Sequence, residues 1–344
     1  MHEFTAIAAG RDLTAVEASA AAIAMVDPTV DDSDRAAFLR ALSAKCESPV
    51  EIEAFARVFL DRAVDPGLTP DELPGPMLDI VGTGGDRLDL FNVSTTAMFV
   101  LAGGGVCVVK HGNRAITSKS GGADVLEALG VRIDLPPAAM AEGVRKTGLG
   151  FLFAPLYHPA FKIVGPVRRH LAGEGVRTIF NLLGPLLNPA RPPLQMIGVA
   201  EEWLGPVFAG QMERLGRKRA WIVHGRTDDD RGMDEVSLIG PTLTWQWDGV
   251  RHDQHTLYPW TFELDGCDLD ELRGADAASN ARLVRDILAG AVRDGRRRMV
   301  VYNAAAGFVT AGIAADIQAG LHLARESIDS GAALRKLEAM IALA

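Results

Sequence analysis

The sequence is poor in cysteine and in the features that mark export or membrane insertion. Its 344 residues include three cysteines, Cys46, Cys107 and Cys267, which are widely spaced and do not form a metal-binding motif. This pattern predicts reduced thiols in a cytoplasmic protein rather than a disulfide framework. The first residues show no basic segment followed by an apolar run, so we expect no signal peptide. No apolar stretch is long enough to span a bilayer, and we expect no membrane partner.

Positive charge is also scarce. The 35 Lys and Arg residues are outnumbered by 44 Asp and Glu residues, and the formal net charge is −9. An acidic protein of this kind is not expected to bind nucleic acid. An anionic ligand would therefore have to be held by local positive charge. Apolar residues make up 48% of the chain, which indicates a globular protein with a substantial core.

The N-terminal part of the chain predicts a helical domain. Residues 1–73 show only helical patterns, and capping-box spacing recurs at 14–17, 48–51 and 69–72. Two further helical segments, at about 158–187, interrupt the pattern of the later chain and are expected to join this domain. The remaining residues, 74–344, form the second predicted domain.

The second domain alternates between strand and helix patterns. Strands are predicted at 77–81, 106–109, 131–133, 151–153, 196–199, 220–223, 242–247 and 299–302, of which 242–247 is expected to be antiparallel. Between them lie predicted helices, at 95–102, 123–129, 137–147, 203–215, 276–291, 314–325 and 332–343. Residues 248–270 are poorly periodic and predict irregular surface structure. The fold class is therefore α/β: a small N-terminal helical domain plus a larger α/β domain with a mostly parallel central sheet flanked by helices.

Two glycine-rich and hydroxyl-rich loops follow the first two predicted strands. One reads Gly-Thr-Gly-Gly-Asp at 82–86, with Asn-Val-Ser-Thr at 92–95; the other, at 110–124, carries Lys110, Arg114 and Lys119. Glycine after a strand often serves only to reverse the chain. N–H groups at a helix start, with hydroxyls and a lysine nearby, also suit phosphate, and ligands in parallel sheets bind beyond the carboxyl ends of the strands. The two loops together predict a pocket for a ligand with more than one phosphate.

Further motifs follow in a fixed order. They are Arg-Thr-Ile-Phe-Asn-Leu-Leu-Gly-Pro-Leu at 177–186, Asp-Glu at 234–235, Asn-Ala at 280–281, Asn-Ala-Ala at 303–305 and Ile-Asp-Ser-Gly at 328–331. With the two loops, this set resembles the anthranilate phosphoribosyltransferase family of tryptophan biosynthesis nearly from end to end. Pyrimidine nucleoside phosphorylases share that fold but lack the segment at 178–186.

The resemblance implies a reaction, a cofactor and a partner. Family members join the amino group of anthranilate to C1 of phosphoribosyl pyrophosphate (PRPP), and diphosphate leaves with inversion. They use Mg²⁺ and are usually homodimers through the helical domain. The amine of anthranilate is neutral and nucleophilic at pH 7, so we expect placement of the acceptor to matter and assign no strong general base.

Specific residues correspond to the family's site residues. The positions that match PRPP contacts are Gly82, Gly85, Asp86, Asn92, Val93, Ser94, Thr95, Lys110, His111, Gly112, Asn113, Arg114, Ala115, Ile116, Thr117, Ser118 and Gly122. The positions that match anthranilate contacts are Gly82, His111, Asn113 and Arg168. The positions that match the metal ligands are Ser94, Asp234 and Glu235.

Each of these assignments has a structural alternative. Adjacent carboxylates such as Asp234 and Glu235 more often lie on a solvated loop. Arg168 stands beside Arg169 on a predicted basic helix, and a register error of one residue would exchange them. A guanidinium suits a carboxylate bidentately, which favours an arginine at this point. His111, taken alone, is more often an ordinary structural histidine.

The sequence departs from the family at four places. Leu90 and Gly122 stand where a hydroxyl side chain is usual, the link at 171–177 is about three residues longer, and 228–231 is an additional acidic segment. These changes keep open a paralogous phosphoribosyltransferase that acts on another aromatic amine or acid. A non-catalytic nucleic-acid-binding relative and a nucleoside phosphorylase are disfavoured, the first by the intact 82–86 loop and the acidic charge, the second by the 177–186 segment.

Overall fold

The structure, a computed structural model, describes three stretches of the chain: residues 10–115, 119–264 and 266–343. The chain divides into two compact units. One comprises the residues up to Asp65 together with Ala154–Pro189, and the other comprises Pro66–Phe153 together with the residues from Ala190 onwards. No helix within the three described stretches has both the length and the apolar character needed to cross a membrane.

The described residues form helices and strands with the following bounds. The helices are α1 (Ala15–Met25), α2 (Asp32–Lys45), α3 (Pro49–Asp61), α4 (Val93–Gly103), α5 (Gly122–Ala128), α6 (Pro137–Thr147), α7 (Ala154–Tyr157), α8 (Phe161–Gly173), α9 (Phe180–Leu183), α10 (Leu204–Arg214), α11 (Ala277–Leu288), α12 (Gly295–Thr310), α13 (Ile317–Asp329) and α14 (Ala332–Ile341). The strands are β1 (Met77–Gly82), β2 (Cys107–Gly112), β3 (Leu149–Phe153), β4 (Leu194–Gly198), β5 (Arg219–Arg226), β6 (Gly232–Met233), β7 (Thr242–Trp247) and β8 (His252–Leu257). Short 3₁₀ helices lie at Pro70–Glu72, Gly184–Leu186 and Pro259–Phe262.

Capping residues begin two helices of the first unit. Thr14 caps α1 and Ser48 caps α3, each in a complete capping box with the glutamate three residues later, as the sequence predicts. The third predicted box, at 69–72, is wrong: Thr69 makes no capping hydrogen bond and a single 3₁₀ turn follows. Local spacing predicts a cap only where the chain continues into a full α-helix.

Aromatic rings fill the core of the helical unit. The Phe59 ring on α3 lies 4.9 Å from Phe161 and 5.6 Å from Phe180, measured between ring centres. An ion pair of 2.7 Å between Arg177 and Glu47 adds a second link between the two parts of this unit. Edge-to-face aromatic pairs contribute about 0.5–1.5 kcal/mol beyond the area that they bury. These contacts hold α8 and α9 against α3.

The second unit is built on a mixed sheet. The described residues form eight strands in the order β3-β2-β1-β4-β5-β7-β8, with β6 paired to the end of β5. The five strands from β3 to β5 are parallel neighbours, whereas β7 and β8 are antiparallel. The prediction of a small N-terminal helical domain and a larger α/β domain with a mostly parallel sheet is confirmed. In β1 and β2 consecutive residues are buried, as expected of parallel strands covered on both faces.

One predicted strand is a helix. Residues 299–302 lie inside α12, which is buried on nearly every side and begins at the cap residue Asp294. A short continuous apolar run does not distinguish a buried strand from a buried helix, because neither shows alternation. α12 packs against α4, another helix that is buried almost completely, and the two form the centre of the core of this unit.

Two further sequence predictions are corrected. Residues 131–133 form no strand; Val131 and Ile133 are buried side chains in the connection after α5. Residues 248–270 are not wholly irregular, because they contain β8, which pairs with β7 along its whole length. β8 is polar and largely exposed, so its pairing depends on backbone hydrogen bonds that the side-chain pattern does not reveal.

Candidate active site

Two loops meet at one edge of the sheet. β1 and β2 are parallel neighbours, so the loops that follow them leave from the same edge. The first loop enters α4 and the second enters α5. The predicted position of both loops beyond the carboxyl ends of neighbouring strands is confirmed. Gly84 and Gly85 in the first loop have φ values of +69° and +90°, which only glycine adopts readily.

Asn92 joins the two loops. Its side-chain amide donates to the backbone oxygen of Ser120 at 3.2 Å, and its side-chain oxygen accepts from Nδ2 of Asn280 at 3.0 Å. Asn280 in turn pairs its side chain with both the N–H and the C=O of Ala275. Asn280 is therefore part of the support of the site, although the sequence analysis used it only as a family marker.

The acidic pair lies against the first loop and the start of α4. Oδ2 of Asp234 accepts from the N–H of Gly84 at 2.7 Å, and Oε1 of Glu235 accepts from the N–H of Ser94 at 3.1 Å. Negative charge is favoured at a helix N-terminus, where unpaired N–H groups point outwards. The structure thus brings together Ser94, Asp234 and Glu235, which the sequence analysis could place in one site only through the family resemblance.

Glycines at the ends of three adjacent strands make room for this acidic pair. Gly82 on β1 pairs with Gly198 on β4. A Cβ atom on Gly82 would lie 2.2 Å from Oδ2 of Asp234, and one on Gly198 would lie 1.6 Å from the Asp234 carbonyl oxygen. Gly225 on β5 meets the Glu235 carbonyl oxygen in the same way, at 2.4 Å. Sequence analysis missed Gly198 and Gly225, since a glycine at a strand end shows no sign of what packs on it.

Lys110 lies beneath the acidic pair. Its side chain is almost fully buried, and its ammonium group donates to the carbonyl oxygen of Ile80 and, at 3.3 Å, to Oγ of Ser94. Burial lowers the pKa of Lys110, and the charges of Asp79, Glu235 and Asp234 oppose that change. Lys110 is therefore a positioned cation in the floor of the site and not a surface charge.

Three carboxyl groups crowd the same space. Burial, with the charge of Asp86, raises the pKa of Asp234 to about 7. Burial also raises the pKa of Glu235 well above its usual value; the charge of Asp234 adds to this effect, and Lys110 opposes it. The pKa of Asp86 is raised as well, mainly by burial. The site therefore lacks the positive charge needed to stabilise all three carboxyl groups in their ionised forms.

This donor set fits Mg²⁺ bound together with an anionic substrate. Within residues 10–115, 119–264 and 266–343, no three His, Cys, Asp or Glu side chains form a metal cluster by themselves. Mg²⁺ prefers oxygen ligands, keeps several waters and commonly uses one or two carboxylates plus substrate phosphates. A hydroxyl and two partly buried carboxylates match that requirement.

The second loop is held by its own hydrogen bonds. Oδ1 of Asn113 accepts from the N–H of Arg114 at 2.8 Å, and the N–H of Ala115 donates to Asp124 at 2.9 Å. The Arg114 guanidinium forms ion pairs with Glu127 and Asp124. Arg114 would have to leave Glu127 to meet a phosphate. That exchange would cost little free energy, because an exposed ion pair contributes only about 0–1 kcal/mol to stability.

Other predicted positions lie around these loops. Lys119 pairs with Asp89 at 3.5 Å. A Cβ on Gly122 would lie 3.0 Å from Oγ1 of Thr95, so the position of the missing hydroxyl is already crowded. Leu90 packs against the apolar core. Three predicted PRPP contacts lie outside the described residues: Ile116, Thr117 and Ser118.

The end of β2 supplies two more predicted residues. His111 is buried and its backbone N–H donates to Asp79 at 3.4 Å. A Cβ on Gly112 would lie 2.8 Å from the Phe151 ring, so Gly112 is needed for close packing. Val93 is the buried first residue of α4.

A polar cavity opens beside Asp86. Its lining residues are Gly85, Asp86, Arg87, Ala200, Glu201, Arg231 and Gly232. Two of them, Arg87 and Arg231, are exposed arginines. The cavity therefore combines the glycine loop with two arginines and two acidic residues, Asp86 and Glu201.

Arg168 belongs to the helical unit. It lies on α8, is half-buried, and its guanidinium carbon lies 5.1 Å from the centre of the Phe180 ring. Burial lowers the pKa of Arg168, and no carboxylate among the described residues opposes that effect. Arg169 is exposed. Of the two arginines, Arg168 is the enclosed cation that lacks an anionic partner within the described part of the chain.

Comparison with known proteins agrees with this architecture. Residues 74–334 match the a/b domain of a glycosyl transferase family, and residues 4–63 match the helical bundle domain of that family. Anthranilate phosphoribosyltransferase of Chloroflexus aggregans is 44% identical over 98% of this chain and 96% of its own length. The enzyme of Chlorobaculum parvum is 41% identical over 97% of this chain and 93% of its own length.

Solved structures show the same relationship. The crystal structure of anthranilate phosphoribosyltransferase from Thermus thermophilus has a TM-score of 0.90 at 39% identity, over 100% of this chain and 99% of that chain. The enzyme of Saccharomyces cerevisiae, in complex with PRPP and Mg, has a TM-score of 0.85 at 29% identity, over 96% and 93% of the two chains. The resemblance found in the sequence is confirmed, and the chain belongs to the anthranilate phosphoribosyltransferase family.

Proposed function

We propose that this chain transfers the 5-phosphoribosyl group of PRPP to the amino group of anthranilate and releases diphosphate. The observation that carries the proposal is the convergence of Ser94, Lys110, Asp234 and Glu235 at the edge of the sheet where the two glycine loops leave. A polar cavity that contains Arg87 and Arg231 lies beside Asp86. The PRPP contacts proposed from the family resemblance lie along these two loops.

The chemistry explains why such a site is needed. As diphosphate leaves C1, positive charge grows on the sugar and negative charge grows on the leaving group. Ser94, Asp234 and Glu235 would hold Mg²⁺, which supplies charge stabilisation to the departing diphosphate when it is bound. The N–H groups at the start of α4 and the Lys110 ammonium favour negative charge at the same place.

We propose that the acceptor is positioned rather than deprotonated. Arg168 would pair with the anthranilate carboxylate, and Gly82, His111 and Asn113 also match anthranilate contacts of the family. Because the amine is already neutral at pH 7, orientation alone is sufficient in principle: in favourable cases it lowers a barrier by about 7–11 kcal/mol.

Arg168→Ala provides the test of this assignment. With PRPP and Mg²⁺ present, the wild type should consume anthranilate, which is followed by the loss of its fluorescence. The variant should raise the KM for anthranilate about tenfold or more and leave the KM for PRPP nearly unchanged, since a charge-assisted contact is worth about 1.5–3 kcal/mol.

Arg169→Ala is the matched control, because it removes the same charge from the next residue of α8. It should leave both KM values close to those of the wild type. If Arg168→Ala impaired only PRPP binding, the acceptor assignment would be wrong. A wild type that left anthranilate unchanged would refute the proposed function itself.

We also propose that the chain forms a homodimer through its helical unit. Val16 and Ile23 on α1 are 81% and 43% exposed, and their seven-residue spacing places them on one face of the helix. Exposed apolar side chains that share a face are typical of a protein–protein contact. Light scattering after gel filtration should give the mass of two chains. Val16→Glu with Ile23→Glu should shift the mass toward one chain.

Val250→Glu is the control for the dimer. Val250 is 87% exposed but belongs to the other unit, so the added charge should not change the mass. A double variant on α1 that kept the mass of two chains would contradict the proposed interface.

We propose a cytoplasmic location. Cys46, Cys107 and Cys267 are all free thiols in the structure. Reduced cysteines are typical of cytosolic proteins, whereas exported proteins commonly pair them.

A further inference from the structure

Asn303 is a fully buried amide on α12, with 0% of its surface exposed. Its side-chain oxygen accepts from the N–H of Val236 at 2.8 Å, and its Nδ2 donates to the carbonyl oxygen of Val236 at 2.9 Å. The second amide hydrogen serves the carbonyl oxygen of Met299, also at 2.9 Å. Asn303 therefore pairs both backbone groups of Val236, much as a neighbouring strand would.

Val236 directly follows the acidic pair. Asp234 and Glu235 cannot move away from the loop of Gly84 or the start of α4 without turning the peptide groups that Asn303 holds. Gly198 and Gly225 also lie against this segment, and a Cβ at either position would meet the carbonyl oxygen of Asp234 or of Glu235. The backbone at 234–236 is thus fixed between α12 and the edge of the sheet.

The acidic pair needs such a restraint. Their carboxylates accept from the N–H groups of Gly84 and Ser94 at 2.7 and 3.1 Å, and a shift of the backbone at 234–236 would lengthen both hydrogen bonds. A neutral amide holds the backbone by hydrogen bonds and adds no charge that would compete with a bound cation.

We propose that Asn303 is a positioning residue that keeps Asp234 and Glu235 in place to bind a divalent cation with PRPP. The inference depends on the proposed function, because it assigns a purpose to the same site. Asn303 would touch neither the substrate nor the cation. It acts through the backbone of Val236.

The test uses two replacements of nearly the same size. Asn303→Leu removes all three hydrogen bonds, whereas Asn303→Thr stays neutral and has one short hydroxyl that cannot pair both backbone groups of Val236. PRPP binding is measured by calorimetry over a series of Mg²⁺ concentrations, at a temperature where circular dichroism shows each variant to be folded. Both variants should raise the Mg²⁺ concentration needed for half-maximal PRPP binding about tenfold, the change expected when hydrogen bonds in an enclosed polar site are lost.

Ser327→Ala is the matched control. Ser327 is buried in the same unit and donates to the carbonyl oxygen of Val100 at 2.7 Å, far along the chain from the acidic pair. Its loss should lower the melting temperature without changing the Mg²⁺ requirement. If Asn303→Leu fails to fold, Asn303→Thr carries the test with the same expected result.

The outcomes separate this inference from the proposed function. Wild-type protein that binds PRPP with Mg²⁺, beside folded Asn303 variants with an unchanged Mg²⁺ requirement, would overturn the role of Asn303 alone. A Mg²⁺ requirement that rose equally in Ser327→Ala would also overturn it, since the effect would then follow stability. Wild-type protein that bound no PRPP at any Mg²⁺ concentration would refute the proposed function.

Discussion

Replacing Asp234 with Asn and Glu235 with Gln together should abolish most turnover and raise the Mg²⁺ requirement. These side chains accept from the N–H groups of Gly84 and Ser94. An amide in their place loses the negative charge and has one acceptor oxygen instead of two. Removal of a preorganised electrostatic group commonly costs about 10²–10³ in kcat, and a loss of this size is expected here. Initial rates measured against Mg²⁺ concentration will show it.

The double variant should nevertheless fold well. The raised pKa of Asp234 and of Glu235 means that the folded protein disfavours their ionised forms relative to the unfolded chain. Above the unfolded-state pKa this ionisation destabilises the fold, and neutral amides remove that cost. A thermal unfolding experiment at pH 7 without Mg²⁺ should therefore give a melting temperature no lower than that of the wild type.

The inserted acidic segment provides the control. Asp230 accepts from Arg226, Asp229 pairs with Arg231 at 2.8 Å, and Asp228 accepts from the N–H of Asp229. These exposed carboxylates already have partners, and salt screens interactions between exposed charges. Asparagine at all three positions should leave turnover nearly intact. If that triple variant failed while the double variant remained active, the catalytic cation would lie on the inserted segment.

Gly198→Ala should reduce turnover strongly, although it adds only one methyl group. The new Cβ would lie 1.6 Å from the Asp234 carbonyl oxygen, so the backbone of the acidic segment would have to move. Overpacking of this kind typically costs about 1–3 kcal/mol in stability, which a domain of this size tolerates. The catalytic effect should be larger, with kcat reduced at least about tenfold, because displacement of a catalytic group by about 1 Å can cost 10²-fold.

Gly210→Ala is the control for this substitution. Gly210 lies inside α10, and a Cβ there would meet nothing within 4 Å. Since alanine favours a helix by about 0.5–1 kcal/mol over glycine, that variant should melt slightly higher with unchanged turnover. If Gly198→Ala had a normal kcat and a normal Mg²⁺ requirement, the acidic segment could shift without loss of activity. Glycine would then not be required at position 198.

Local patterns in the sequence predicted the framework of the site. Strand, glycine loop and helix follow one another at β1 and β2, and the parallel pairing of these strands necessarily places both loops at one edge. The caps at Thr14 and Ser48 were also predictable, because their hydrogen-bond partners are only three residues away in the sequence. Where the deciding contact was not local, prediction failed. Residues 299–302 were predicted as a strand but lie in α12. This helix is buried on nearly all sides, so its sequence shows no apolar periodicity.

The interior of the site was decided by tertiary structure. The family resemblance identified Ser94, Asp234 and Glu235, but the residues that hold them have no signature of their own. Gly198 is one glycine at a strand end, and Asn303 is one amide in an apolar helix. Their roles arise only when β4 and α12 approach the acidic segment from opposite sides. The sequence alone therefore determined the family, the fold class and the candidate ligands, whereas the folded chain decided which neutral residues keep these carboxylates in place.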